Sequence, residues 1–150
     1  MRNLRLRASI TGAMNPKPSE VFLSHSHHDK RLTIRIAGEL RRHGVPVWYS
    51  ERHLVGAQQW LDQIGLALRR CDWFIVVLTP EAVDSMWVKR ELSDALIDRK
   101  YNGRIVPLVA KNCDPGALAW PLTALQTISL RPFKTGIAEL LRIWGIPYRP

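Results

Sequence analysis

The run "WFIVVL", Trp73 to Leu78, restricts most what this chain can become. It is far shorter than the roughly 20 residues a membrane-spanning helix needs. It has the length and unbroken apolar character of a strand buried on both faces, the middle strand of a parallel sheet. Thr79 and Pro80 follow at once. A hydroxyl that can cap free amides, then a proline at the first helical position, predicts that a helix begins there. We expect that helix to run to about Lys100.

The rest of the chain repeats this unit. "EVFLS" (Glu20 to Ser24) reads as a short buried strand, and "KRLTIRIAGELRRHG" places Leu32, Ile36 and Leu40 at spacing four before stopping at Gly44. "VPVWYS" (Val45 to Ser50) is the next strand, and "QQWLDQIGLALRRC" carries the helical pattern through Trp60, Ile64 and Leu68. After the central unit, "GRIVPLVA" (Gly103 to Ala110) is a fourth strand whose Pro107 argues for a bulge or the periphery of the sheet. "LQTISL" is a weaker fifth strand, and "TGIAELLRIWG" a closing helix.

Alternation of this kind predicts an α/β, flavodoxin-like three-layer fold: a five-stranded parallel sheet of order 2-1-3-4-5 with helices on both faces. Ligands in such folds sit beyond the carboxyl ends of the strands, where the order reverses between the first and third. Here those ends are Ser24-His25-Ser26 and Leu78-Thr79-Pro80.

At 150 residues we expect one domain, residues 20–150, behind a basic flexible arm at residues 1–19. The arm holds Arg2, Arg5, Arg7 and Lys17 with no acid, and lacks the apolar core of a secretory signal. The chain's net charge is +9, and removing the arm's four charges leaves +5, with basic residues scattered among acids along the sequence. Nucleic acid is therefore expected only through the arm or a partner, and no membrane contact is expected. Cys71 and Cys113 form no disulfide or metal framework, which fits a reducing, cytoplasmic setting.

One carboxylate stands out. In "DSMWVKREL" the helical neighbours of Glu91 are Trp87, Val88, Asp94 and Ala95, none of them a cation. Glu39, by contrast, has Arg42 and His43 at helical distances. On the same helix Val88, Leu92, Ala95 and Leu96 make the apolar stripe, and Trp87 and Glu91 share the neighbouring one. That places an indole and a partly desolvated carboxylate side by side at the rim of the buried face. The structural alternative is an ion pair from Glu91 to Arg69 or Arg70, with Trp87 as a core anchor.

Three blocks in order, "VFLSHSHHDK", "GVPVWYSERHLVGAQQW" and "CDWFIVVLTPEAVDSMWVKREL", resemble a Toll/interleukin receptor (TIR) domain, in particular the bacterial branch. The resemblance spans about Glu20 to Leu130 and implies the fold just derived. It also implies NAD as a substrate, hydrolysed or cyclised, with Glu91 as the catalytic carboxylate of the W-x-x-x-E pair Trp87 and Glu91. By the same resemblance, Trp48 to Gly56 is the loop that mediates TIR–TIR contacts and completes the substrate pocket. This segment departs from the family pattern: Ser50 stands where aspartate is common, the loop looks one residue short, and Glu51 is the candidate replacement acid.

Cleaving ribose from nicotinamide releases a neutral base from a pyridinium, so no acid is required for the leaving group, and one carboxylate suffices where ordinary glycosidases use two. The substrate-binding candidates are Ser24, His25, Ser26, Trp48, Glu51 and Trp87. No cofactor is expected, because NAD is consumed. No metal is expected at His25, His27, His28 and His53, which lack cysteine or carboxylate at ligand spacing. Trp60 reads as packing. The resemblance further implies self-association, as filaments or higher oligomers, and a separate sensor or activator, in prokaryotic immune defence. The rival reading is a non-catalytic TIR–TIR interaction module.

Overall fold

The computed structural model describes residues 15–51 and 56–150. Five strands form one parallel sheet: β1 (Val21–Ser24), β2 (Val47–Trp48), β3 (Trp73–Leu78), β4 (Ile105–Val109) and β5 (Ile128–Ser129), in the order 2-1-3-4-5. The helices are α1 (Lys30–Arg42), α2 (Ala57–Arg70), α3 (Pro80–Val83), α4 (Met86–Ile97), α5 (Pro115–Leu118) and α6 (Phe133–Arg142). The expected architecture is the one observed. All six side chains of β3 are buried, as its unbroken apolar run requires.

Strand alternation sorts the side chains into two cores. Val21 and Leu23 of β1, with Trp73, Ile75 and Val77 of β3, face α1 and α6. Phe22, Phe74, Val76 and Leu78 face α2 and α4, with the rings of Phe22 and Phe74 stacked 5.2 Å apart. Ser24, two residues after Phe22, points to that second side. This is the step that places a hydroxyl opposite α4.

Three elements differ from the sequence expectation. The strand expected over Val45–Ser50 pairs only through Val47 and Trp48, because β2 is an edge strand with β1 as its single neighbour. The long helix expected from Pro80 is two helices. Asp84 closes α3, and Ser85 is extended (φ −84°, ψ 120°), its hydroxyl accepting from Val88 N to start α4. Asp98, also extended, ends α4 and caps a single 3-10 turn, Arg99–Tyr101. Pro107 lies in the fourth strand of five without a break in its pairing to β3. The bonds Phe74 N to Arg104 O and Ala110 N to Leu78 O turn the even-numbered residues of β4 toward β3. Pro107 therefore turns its missing N–H toward β5, which pairs only with Leu108 and Val109.

Residues 15–19 run along the domain: Asn15 Nδ2 donates to Ile143 O at 3.4 Å, and Ser19 N donates to Asp72 Oδ2 at 3.2 Å. The arm's Arg2, Arg5 and Arg7 lie outside the described residues. So does His53 of the candidate histidine set. Among the described residues no helix is long and apolar enough to cross a membrane.

Candidate active site

Glu91 occupies a position of the apolar stripe itself. The buried residues of α4 are Val88, Glu91, Leu92 and Ala95, the i, i+3, i+4, i+7 pattern of a core-facing helix. Glu91 is 5% exposed, so the carboxylate sits deeper than the rim expected from the sequence. The hydroxyl of Ser24 donates to Glu91 Oε1 at 2.7 Å. Neither proposed cation reaches it: Arg70 pairs with Glu20 at 2.6 Å, and among the described residues no basic nitrogen lies within 4.0 Å of the Glu91 carboxylate. Glu39 has its expected partner, Arg42, at 2.8 Å.

Burial pushes the Glu91 carboxyl up to about 7; the Ser24 hydrogen bond pulls against that rise, and the like charge of Asp94 adds to it. A carboxyl so poised exchanges its proton near neutral pH. That property suits acid–base or charge-stabilising chemistry.

Above Glu91 opens a cavity of about 460 Å³, within the size range of small-molecule sites. Glu91, Trp87, Trp60, His25, Glu51 and Lys30 contribute to its wall. The indoles of Trp60 and Trp87 meet edge to face with centroids 4.4 Å apart, joining α2 to α4. The Trp60 indole N–H donates to the Ser50 hydroxyl, so the start of the loop after β2 is fastened to the cavity wall. His25 is held below the ordinary imidazole range by burial, against the opposing effects of the Leu23 carbonyl and Asp29. Beneath the cavity, Thr79 Oγ1 donates to the buried Asp29 Oδ2 at 2.5 Å while accepting from Ala82 N, which ties the end of β3 to the entry of α1.

The candidates from sequence divide accordingly. Glu91, His25, Glu51 and Trp87 line the cavity, and Ser24 reaches it through its bond to Glu91. Ser26 is buried and caps the 3-10 turn His27–Asp29, accepting from His28 N. Trp48 packs against Phe22, ring centroids 5.0 Å apart, and does not line the cavity. Its expected place is taken by Trp60, which the helical pattern had assigned to packing. The signal available for Trp60 was its position one turn into α2, directly after the loop. Lys30, His27, Ser50 and Ser85 also line the cavity; the sequence had marked Ser50 only as a replacement for aspartate and His27 only in a histidine set dismissed for metal, and had not marked Lys30 or Ser85.

Residues 21–141 match the family model described as the TIR domain. The chain belongs to the TIR domain family. This TIR domain is 36% identical over 81 residues to the NAD(+) hydrolase TcpC of Escherichia coli, covering 53% of this chain and 26% of that protein. It is 32% identical over 97 residues to the 2' cyclic ADP-D-ribose synthase BtTIR of Bacteroides thetaiotaomicron, covering 62% and 33%. It is likewise 32% identical over 90 residues to the NAD(+) hydrolase TcpA of a Theionarchaea archaeon, covering 59% and 27%. The TIR domain thus spans about a quarter to a third of the length of these relatives. Among solved structures it matches the TIR domain of the Toll-related receptor TRR-2 from Hydra magnipapillata, with a TM-score of 0.61 at 18% identity, over 75% of this chain and 88% of that one. It also matches the TIR domains of the activated Roq1 resistosome, with a TM-score of 0.54 at 18% identity, over 85% and 84%.

Proposed function

We propose that this TIR domain consumes NAD, breaking the bond between ribose and nicotinamide, with Glu91 as the catalytic carboxylate. The observation that carries the reading is a buried carboxyl whose one hydrogen-bond partner among the described residues is a hydroxyl, at the floor of an indole-walled cavity. Relatives named as NAD(+) hydrolases and a 2' cyclic ADP-D-ribose synthase support the choice of substrate.

The scissile carbon–nitrogen bond breaks with its electron pair going to the pyridinium nitrogen, which leaves as neutral nicotinamide. Positive charge then develops on the ribose ring, and ionised Glu91 stabilises it where it forms. Low dielectric around Glu91 strengthens that attraction. Ser24 holds the carboxylate in place. Trp87 and Trp60 offer apolar faces to the bases, while His25 and Glu51 supply polar contacts at the mouth. Ser26 acts through the turn it caps, and Trp48 through its support of β1. Addition of water to the cation, with loss of one proton, gives ADP-ribose; addition of a hydroxyl of the same molecule gives a cyclic product. On this reading the activity serves prokaryotic immune defence in the cytoplasm, and is switched on when copies assemble with one another or with a sensor partner.

The test compares NAD loss and resolved products for concentrated wild type with Glu91→Ala and Glu91→Gln of matched thermal stability. Consumption by wild type alone supports the reading. Equal inertness of all three under forced assembly overturns it and leaves the interaction module.

A further inference from the structure

Basic residues scattered in the sequence are gathered by the fold. Residues 31–42 and 131–149, which contain α6 and all of α1 except its first residue, the cavity-lining Lys30, hold eight Lys and Arg against two acids, Glu39 and Glu139. The remainder of residues 20–150 holds ten against eleven. The domain's positive charge is therefore concentrated on the α1–α6 layer, across the sheet from Glu91. Arg31, Arg35 and Arg42 share the outward stripe of α1, opposite the buried Ile36 and Leu40. Arg35 stacks over the Phe133 ring at 3.7 Å, joining the two helices.

Beside this stripe lies a groove of about 370 Å³, lined by Lys134, Arg142 and Tyr148 and by the single carboxylate Glu139. Tyr148 stacks on His43 with centroids 5.3 Å apart, and the Arg42 guanidinium is 5.8 Å from its ring. The described end of the basic arm arrives at the same layer: Asn15 bonds Ile143 O, and the Lys17 ammonium lies beside Gly44.

We infer that the α1–α6 face binds the phosphodiester backbone of nucleic acid, without sequence preference. Seven of the eight cations are arginines, whose planar forks match phosphate oxygens in pairs. Half-buried aromatic rings lie among them, as in surfaces that stack bases. Arg31 and Arg42 are about 16 Å apart along α1, the length spanned by about five phosphates of one strand at roughly 3.4 Å each. A membrane surface fits less well, because of the exposed large apolar side chains among the described residues only Ile34 lies on this face.

The test measures fluorescence anisotropy of short labelled single-stranded and duplex DNA with the whole chain. With about four phosphates neutralised, duplex affinity falls about a hundredfold between about 50 and about 200 mM salt. The exposed triple Arg31→Glu, Lys134→Glu, Arg142→Glu should lose at least about 30-fold at the lower salt and flatten the salt slope by about 2 to 3. The control triple Arg69→Glu, Arg99→Glu, Lys111→Glu, equal in charge change, should keep the wild-type slope. NAD turnover without DNA should be the same in both. Equal losses in the two triples overturn the inference in favour of diffuse net charge. Abolition of binding by deleting residues 1–14 with no effect of the first triple assigns binding to the arm and also overturns it. So do absence of binding at the lower salt, and binding to anionic phosphatidylserine vesicles but not to DNA.

Discussion

Ser24 and Glu91 are 67 residues apart in the chain and 2.7 Å apart in the fold, hydroxyl to carboxylate, in a buried contact between β1 and α4. β1 and β3 pair directly, and α4 follows β3 by way of the short helix α3. Sheet order and the restart of the helix at Ser85 together bring the two side chains to one point.

If ionised Glu91 is the working form, NAD cleavage rises with pH. Log kcat/KM should climb with unit slope and level off around the carboxyl's value of about 7. A pH–rate profile on assembled protein checks this; a profile flat from about pH 5 to about pH 8 contradicts it.

The same burial makes Glu91 a burden on stability when ionised. Its folded pKa of about 7 exceeds its ordinary 4.5, so between those values the folded state binds more protons and stability falls as pH rises. Glu91→Gln removes that dependence. The variant should gain on wild type progressively from about pH 4.5 to about pH 7, by at most about 3 kcal/mol. Melting temperatures across this range decide the matter, and a gain independent of pH refutes the linkage.

Ser24→Ala takes away the hydrogen bond that opposes the upward shift. The acid limb of the rate profile should move to higher pH, with activity lost at neutral pH and regained in alkali. Folding should suffer by only about 1 kcal/mol. Loss of activity at every pH would assign Ser24 a different part.

Gly136 lies where α6 presses on β5. A Cβ there would sit 2.3 Å from Ser129 O and 2.9 Å from Leu130 Cα, both backbone atoms. Gly136→Ala should therefore cost about 3 kcal/mol or more in a denaturant titration. A loss under about 1 kcal/mol would mean that the helix slides away freely.

Much of this fold is legible from local pattern. The apolar run of β3 and the helical spacing of α1 and α2 set the layer order, because each signal is contained within one element. The break at Asp84–Ser85 was hidden, since Thr79-Pro80 gives a strong start signal and nothing in helical spacing forbids continuing through a serine. Glu91 was found because it lacked a cation. Its depth was not, because a carboxyl on an apolar stripe reads as a rim position until its partner on another strand is known. Trp48 and Trp60 exchanged roles for a similar reason: which of two indoles faces a cavity depends on how an edge strand and a helix meet. The basic layer escaped notice because its two halves are about a hundred positions apart in the chain.

Among the described residues the two cores have no member in common. Substitutions within α1 or α6 and substitutions within α2 or α4 should thus combine additively. The sheet then works as a partition: descendants of this chain can change what they attach to on one side while keeping intact the pocket on the other.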